Sequence, residues 1–238
     1  MFDFSECVVL VTGASGNLGS AVVRAFGQAG ARLVVADRSP DRLPELFPEL
    51  AGSPERFLAT GVDLSDADDA ARMVEEVLAR FGRIDVLANT VGGYRAGTPV
   101  HETTLETWEF MLALNARTAF VASRAVVPAM LEQGAGKIIH TASRAALKGG
   151  RNAVAYSISK SAVVRLVESL AAELKDKGIN ANCVVPGTID TPENREAMPK
   201  ANHSKWVPPE AIADVFLFLA SDAARSIHGA AIPVYGRS

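Results

Sequence analysis

Short apolar runs rich in β-branched residues alternate with helical patterns from one end of the chain to the other. The predicted strands are Cys7–Val11, Arg32–Ala36, Phe57–Gly61, Ile84–Ala88, Lys137–Thr141, Asn180–Val185 and Ala231–Val234. Apolar residues recur at steps of three and four in the predicted helices Leu18–Ala29, Ala67–Phe81, Leu105–Leu131, Ala153–Lys177 and Glu210–Ala220. This alternation is typical of a parallel sheet covered by helices on both faces. We therefore expect an α/β, doubly wound chain of about seven strands, with residues 1–238 as a single domain.

The first predicted strand leads directly into a glycine-rich turn, Thr12-Gly13-Ala14-Ser15-Gly16-Asn17-Leu18-Gly19, and a helical pattern follows at once. A dinucleotide site needs this order, because glycines let the backbone approach the pyrophosphate and free N–H groups at a helix N-terminus meet its charge. Asp37 ends the second strand, where a carboxylate binds the ribose hydroxyls and repels a 2′-phosphate. The turn therefore predicts a site that favours NAD(H). NADP(H) stays open, because the neighbouring Arg38 is a potential partner for that phosphate.

A second group of residues has the spacing of an acid–base site. Tyr156 and Lys160 lie four positions apart in one predicted helix and therefore on the same face. A cation beside a phenol favours the phenolate, so we expect Lys160 to lower the pKa of Tyr156 toward the operating range of a general acid or base. Ser143 follows the fifth strand and supplies a hydroxyl donor for the oxygen of a reacting carbonyl.

Taken together, these residues resemble the short-chain dehydrogenase/reductase family over nearly the whole chain. The matching positions are Thr12–Gly19, Asp63-Leu64, Asn89, Asn115, Ser143, Tyr156, Lys160 and Pro186-Gly187. The resemblance implies a Rossmann fold and the transfer of a hydride between a nicotinamide and a small carbonyl or alcohol substrate.

The resemblance also implies a role for individual residues. Tyr156 would be the acid/base, Lys160 would bind the nicotinamide ribose, and Ser143 would orient the substrate. Asn115 would hold a water that relays protons. In the cofactor-binding set, Asp63 would bind the adenine ring and Thr188 or Ile189 would contact the carboxamide. The set also includes Leu64, Asn89, Pro186 and Gly187.

Some segments depart from the common family pattern. Asn17 and Leu18 lie between Gly16 and Gly19, where the usual turn places its last two glycines one residue apart. This wider turn and the loops at 92–97 and 190–199 resemble those of dihydropteridine reductases, which implies an alternative activity, the NADH-dependent reduction of a quinonoid dihydropterin. Tyr94 and Trp206 would then stack on the substrate or, equally, belong to ordinary packing. Those enzymes lack a serine at position 143, however.

A further alternative is a non-catalytic protein that senses NAD(H), since a fold does not fix a function. The complete set of Ser143, Tyr156, Lys160 and Asn115 argues against it. The segment Thr188–Pro209 has four prolines and few apolar residues, which predicts an irregular loop or lid over a ligand.

Charge and composition exclude several classes of protein. The chain has 24 Lys and Arg against 27 Asp and Glu and no basic run, which argues against nucleic acid as a partner. No apolar stretch reaches the roughly 20 residues of a membrane span. The residues before Cys7 do not have the pattern of a secretion signal, so we expect a cytoplasmic protein. The histidines lack metal-ligand spacing, and no metal site is predicted.

The two longest predicted helices, Leu105–Leu131 and Ala153–Lys177, carry more apolar residues than one face of a sheet can cover. Excess apolar helix surface marks a subunit contact. The family resemblance implies that these helices form a four-helix interface, and we expect a homodimer or homotetramer.

Overall fold

The computed structural model describes residues 2–53 and 57–237, so Met1, residues 54–56 and Ser238 lie outside the described part of the chain. The described strands form one parallel sheet in the order β3-β2-β1-β4-β5-β6-β7. They are β1 (Val8–Thr12), β2 (Arg32–Asp37), β3 (Phe57–Gly61), β4 (Val86–Asn89), β5 (Gly136–Thr141), β6 (Ile179–Pro186) and β7 (Ala231–Val234). The predicted strand count and the parallel sheet are confirmed.

Helices connect the strands and cover the sheet. They are α1 (Asn17–Gln28), α2 (Leu43–Leu46), α3 (Pro48–Ala51), α4 (Ala67–Phe81), α5 (Leu105–Met111), α6 (Thr118–Gln133), α7 (Arg144–Leu147), α8 (Val154–Leu174), α9 (Pro192–Ala197) and α10 (Pro209–Ala220). Every residue of β1 and β6 is buried, because both faces of the sheet are covered.

Alternate residues of β1 point into two separate cores. Val9 and Val11 pack with Phe26 of α1 and Phe216 of α10 on one face of the sheet. Val8 and Leu10 pack on the other face, in a core to which α4, α6 and α8 also contribute. This arrangement explains why the strands are continuous apolar runs rather than alternating ones, and it confirms the doubly wound architecture.

The predicted helix Leu105–Leu131 is interrupted in the structure. Between α5 and α6, residues Leu112–Arg117 form a π-helical turn. A π turn frees a backbone carbonyl from its usual partner, and here the Thr118 hydroxyl donates to the Leu114 carbonyl oxygen at 2.7 Å. The turn brings Asn115, which is 1% exposed, into the interior.

The helical stretch Leu105–Gln133 is long and apolar enough, by length and composition alone, to cross a membrane. Burial accounts for part of that composition, since 44% of its most apolar window lies inside the structure. Val121, Val126 and Met130 of α6 pack into the core that α6 shares with α4 and α8. The core helix of a soluble protein can have the same length and composition, so this stretch is weak evidence for a membrane span.

The prediction that Thr188–Pro209 is irregular is wrong for part of the segment. Helix α9 forms within it, because the Thr191 hydroxyl accepts a hydrogen bond from the Asn194 N–H at 3.2 Å and Pro192 occupies the first helical position. The base of the segment is closed by backbone bonding, since the Val207 N–H donates to the Thr188 carbonyl oxygen at 3.0 Å.

Candidate active site

The strand order reverses at β1, which has β2 on one side and β4 on the other. Ligands of open α/β sheets bind at such a switch point, outside the carboxyl ends of the strands. Here the strand ends bring Thr12, Asp37, Asn89 and Thr141 to one edge of the sheet. A cleft of about 410 Å³ opens at this edge.

The glycine-rich turn forms one wall of the cleft. Helix α1 begins at Asn17 with Gly16 as its N-cap, and within the described part of the chain no side-chain hydrogen bond caps this helix start. A Cβ atom on Gly19 would overlap the Gly13 carbonyl oxygen and lie 2.9 Å from Thr90 Oγ1. The turn therefore packs too closely for a side chain at position 19, and it leaves uncapped N–H groups of the kind that bind a pyrophosphate.

The cleft collects most of the residues predicted to bind the adenosine half of a dinucleotide. Those lining it are Gly13, Ser15, Gly16, Asp37, Arg38, Asp63 and Leu64. Asp63 does not cap α4. Asp66 does so, accepting from the Asp68 and Asp69 N–H groups, whereas Asp63 lines the cleft and its Oδ1 accepts from the Ser65 N–H at 2.8 Å. The residues present thus fit a dinucleotide.

Sequence reasoning missed part of the lining. The structure adds Thr90, Val91, Gly92, Phe110, Ala113, Leu114 and Thr118, together with other small residues. Thr90 to Gly92 directly follow the end of β4, so their place after a strand of the sheet was an available signal. Leu114 lies within the π turn and Thr118 directly follows it, and the sequence does not reveal this turn.

Asp37 is held in place at the end of β2. Its Oδ2 accepts hydrogen bonds from the Ser15 hydroxyl at 2.7 Å and from the Ser15 N–H at 3.1 Å. Its Oδ1 accepts from the Arg38 N–H at 2.8 Å. The carboxylate is therefore fixed against the glycine-rich turn before any ligand binds.

Several predicted cofactor residues do not line the cleft. Leu18 packs into the core beneath α1, and the Asn17 amide donates to Glu193 of α9 at 2.8 Å.

At the other end of the site, the Gly187 N–H donates to the Val234 carbonyl oxygen at 3.0 Å, and the Ile189 carbonyl oxygen accepts from Asn194 at 2.8 Å. Pro186 ends β6, and Thr188 belongs to the closed base of the lid segment.

Thr12 and Asn89 belong to a buried polar chain beneath the cleft. The Thr12 hydroxyl donates to Asn89 Oδ1 at 2.6 Å, so the Asn89 amide nitrogen faces His140 Nδ1, at 2.9 Å. Nδ1 must then be an acceptor, and the ring carries its proton on Nε2, which donates to the Ser123 hydroxyl at 2.8 Å. The Ser123 hydroxyl in turn donates to the Ala119 carbonyl oxygen.

Burial, and then the charge of Lys160, lower the pKa of His140 to about 3. His140 is therefore a neutral structural residue that bridges Asn89 and Ser123. No group of three or more His, Cys, Asp or Glu that could hold a metal ion exists among the described residues.

Helix α8 presents Tyr156 and Lys160 to the other half of the site. Lys160 Nζ donates to the Thr141 carbonyl oxygen at 2.9 Å, and burial lowers the pKa of Lys160 to about 8. Burial raises the pKa of Tyr156, while a hydrogen bond with the Ser143 side chain opposes that rise. The expected lowering of the Tyr156 pKa by Lys160 is therefore not the dominant effect, because the phenol is removed from water.

Asn115 locks the loop after β4 against α8. Its Oδ1 accepts from the Gly93 N–H at 3.0 Å, and its Nδ2 donates to the Gly93 carbonyl oxygen and to the Ser159 hydroxyl, each at 3.1 Å. A Cβ atom on Gly92 would lie 2.7 Å from Lys160 Nζ and 2.8 Å from Asn115 Oδ1. A glycine at position 92 therefore lets the loop approach the ammonium group.

The two aromatic residues predicted to flank the substrate differ in their surroundings. The Tyr94 ring meets the Tyr156 ring edge to face, with centroids 4.8 Å apart, and Tyr94 is 71% exposed. Trp206 is only 9% exposed and contacts the His203 ring. Trp206 is thus a packing residue, whereas Tyr94 stands beside the phenol of α8.

A Rossmann sheet with a glycine-rich turn at its switch point, next to a Ser, Tyr and Lys group, defines a dinucleotide-binding oxidoreductase. The family model for short chain dehydrogenases matches residues 7–202, and the chain belongs to this family.

Curated relatives and solved structures agree with this assignment. The chain is 32% identical to a 3-oxoacyl-[acyl-carrier-protein] reductase of Thermotoga maritima, over 96% of each chain. It is 35% identical to a D-threitol dehydrogenase of Mycolicibacterium smegmatis, over 99% of this chain and 94% of the relative. A candidate NAD(P)-dependent gluconate 5-dehydrogenase from Beutenbergia cavernae, with NADP bound at low occupancy, has a TM-score of 0.89 and 33% identity over 99% of this chain and 97% of its own. The chain is accordingly an oxidoreductase of the alcohol and ketone type.

Proposed function

We propose that the chain interconverts a small carbonyl compound and its alcohol, with Tyr156 as the acid/base. The observation that carries this proposal is the buried ammonium group of Lys160, which lies one turn of α8 from Tyr156 and donates to the Thr141 carbonyl oxygen at the end of β5. When bound, a nicotinamide supplies or accepts the hydride. The dinucleotide would be held by the turn Thr12–Gly19, by Asp37 and by Asp63.

Each polar group of the site then has a defined task. In reduction, the Tyr156 hydroxyl donates its proton to the substrate oxygen, and the Ser143 hydroxyl donates a hydrogen bond to the same oxygen. Because burial raises the pKa of Tyr156, the phenol holds its proton until substrate arrives. Lys160, anchored on the Thr141 carbonyl, adds positive charge next to the developing phenolate.

Replacing Tyr156 by Phe tests this function. We expect turnover of NADH with ketones to fall at least about 100-fold, because the variant has no proton to donate. NADH affinity, measured by fluorescence titration, stays within about twofold, since the ring is retained. Tyr235→Phe is the matched control, because it makes the same substitution at the third tyrosine of the chain. Retained turnover in Tyr156→Phe would contradict the proposal.

We also propose that NAD(H) is the preferred cofactor. The Asp37 carboxylate faces the cleft in a position fixed by Ser15, where it accepts bonds from ribose hydroxyls and repels a 2′-phosphate. Arg38 lines the same cleft, and its guanidinium group would favour NADP(H) by pairing with the 2′-phosphate.

For the whole chain, we propose a homodimer or homotetramer acting on a small-molecule substrate in the cytoplasm. Large apolar side chains remain exposed on α6 and α8, two long helices that cover the same face of the sheet as α4. Phe120 and Leu131 of α6 are 53% and 44% exposed, and Ile158 of α8 is 42% exposed. A second copy of the chain is the partner that would cover them.

A further inference from the structure

Two of the three tyrosines of the chain meet at the proposed site. The rings of Tyr94 and Tyr156 have their centroids 4.8 Å apart and their planes at 81°. Edge-to-face contacts of this kind are a preferred arrangement of aromatic pairs. The two rings therefore form a right-angled corner, and the ring of Tyr156 is one of its walls.

The backbone on both sides of Tyr94 is anchored. On one side, the Gly93 N–H and carbonyl oxygen are both bonded to the Asn115 amide. On the other side, the Gly97 N–H donates to the Asn152 carbonyl oxygen at 2.8 Å. The Tyr94 ring is thus carried by a loop that is fixed at both ends, which makes it a wall of defined position.

The contact with Tyr156 leaves most of Tyr94 uncovered, since the side chain is 71% exposed. The neighbouring cation does not occupy this surface, because the Arg95 guanidinium lies 4.2 Å from the centroid of the Phe110 ring. A large aromatic surface therefore stands open to a ligand, next to the phenol that is to donate a proton.

We propose that Tyr94 is a specificity-determining residue, which favours carbonyl substrates that carry an aromatic or conjugated planar group next to the carbonyl. This inference rests on the proposed function. A flat group stacked on one wall of the corner presents its edge to the other wall, so it gains contact with both rings. A short alkyl group contacts the same walls with much less area.

Two α-diketones test the inference, because they differ only in the group beside the reacting carbonyls. The probes are 1-phenyl-1,2-propanedione and 2,3-butanedione, each reduced by NADH with the purified full chain. The measured quantity is the ratio of kcat/KM for the aryl diketone to kcat/KM for the alkyl diketone. This ratio cancels any general loss of activity or of folded protein.

We expect Tyr94→Ala to lower this ratio about fivefold to tenfold, since one ring-to-ring contact is lost. Tyr94→Phe keeps the ring and should keep the ratio within about twofold. Leu105→Ala is the control for loss of an exposed apolar side chain, since Leu105 is 76% exposed at the start of α5. An unchanged ratio in Tyr94→Ala, or an equal fall in Tyr94→Phe, overturns the inference.

The experiment also separates the inference from the proposed function. A wild-type chain that reduces 2,3-butanedione but not the aryl diketone overturns the inference and leaves the proposed function standing. A wild-type chain that reduces neither diketone contradicts the proposed function and the inference together.

Discussion

At the scale of single residues, the cofactor preference depends on the charge of one side chain. Asp37 is tied to Ser15 and to the Arg38 N–H, so its carboxylate cannot turn away from a bound ribose without breaking these bonds. A charge held this rigidly acts on a 2′-phosphate at a fixed short distance. Discrimination between the two cofactors should therefore change when the charge alone is removed.

Asp37→Asn removes that charge at nearly constant side-chain size, and it also replaces one of the two accepting oxygens by an NH2 group. We expect the ratio of kcat/KM with NADPH to kcat/KM with NADH to rise about tenfold, because the repulsion of the phosphate is lost. Initial rates with both cofactors measure it. Asp176→Asn, which removes a charge at an exposed position after α8, should leave the ratio unchanged. An unchanged ratio in Asp37→Asn would show that Asp37 does not select the cofactor.

His140 is a second residue whose contacts permit a quantitative prediction. Its removal would leave the Asn89 amide and the Ser123 hydroxyl without their ring partners in the core. We expect His140→Ala to lower the free energy of unfolding by about 2–4 kcal/mol, from the unpaired groups and the cavity. Urea denaturation measures this loss. His101→Ala is the control, since the His101 side chain is 79% exposed and its loss should change stability by less than about 0.5 kcal/mol.

At the scale of elements, the glycine-rich turn depends on the contact between its first and last glycines. A side chain at position 19 would collide with the Gly13 carbonyl group, which is backbone and cannot rotate away. The turn and the start of α1 would have to separate. The uncapped N–H groups that face the cleft would then change position.

Gly19→Ala should therefore weaken NADH binding at least about tenfold, because the pyrophosphate site is distorted. Isothermal titration calorimetry with NADH measures the change. Gly52→Ala is the matched control, since a Cβ atom there meets nothing within 4 Å. Equal NADH affinity in Gly19→Ala and wild type would contradict this account of the turn.

The elements also show what periodicity can and cannot predict. The strands lie within two residues of their predicted bounds, because burial on both faces leaves a continuous apolar run in the sequence. The start of α9 had a signal in Thr191-Pro192, but the prolines around it favoured an irregular interpretation. The π turn had no signal, since a shift of backbone hydrogen bonding leaves the spacing of apolar residues nearly unchanged.

The candidate site likewise contains residues that the sequence predicts and residues that only the structure can place. Residues fixed by local motifs, such as Asp37 and Tyr156, could be predicted from spacing. Tyr94 could be suggested but not placed, because its contact with Tyr156 depends on how Asn115 holds the intervening loop. The direction in which the Tyr156 pKa shifts depends on the burial of the phenol, which the sequence does not give. That residues 1–238 form one domain stays a prediction.

At the scale of the whole molecule, the exposed apolar residues of α6 and α8 form the face that we propose to be an interface. Phe120→Glu places a charge on this face, and we expect it to lower the average mass in sedimentation equilibrium to that of a smaller assembly. Met198→Glu, at a 41% exposed apolar position after α9, is the control and should leave the mass unchanged. A wild-type chain that sediments as a monomer of 25.1 kDa would contradict the proposed assembly.

The π turn between α5 and α6 has a consequence for how the gene can vary. The turn holds one residue more than the α-helical turn it replaces. Deleting the codon for Ala116 or Arg117 would restore a regular helix and rotate the residues before the deletion, Asn115 among them, by about 100° relative to α6. Asn115 would lose its alignment with Gly93 and Ser159, although the helix would remain continuous. Length variation in descendants of this gene should therefore be absent from this helix and confined to the surface loops.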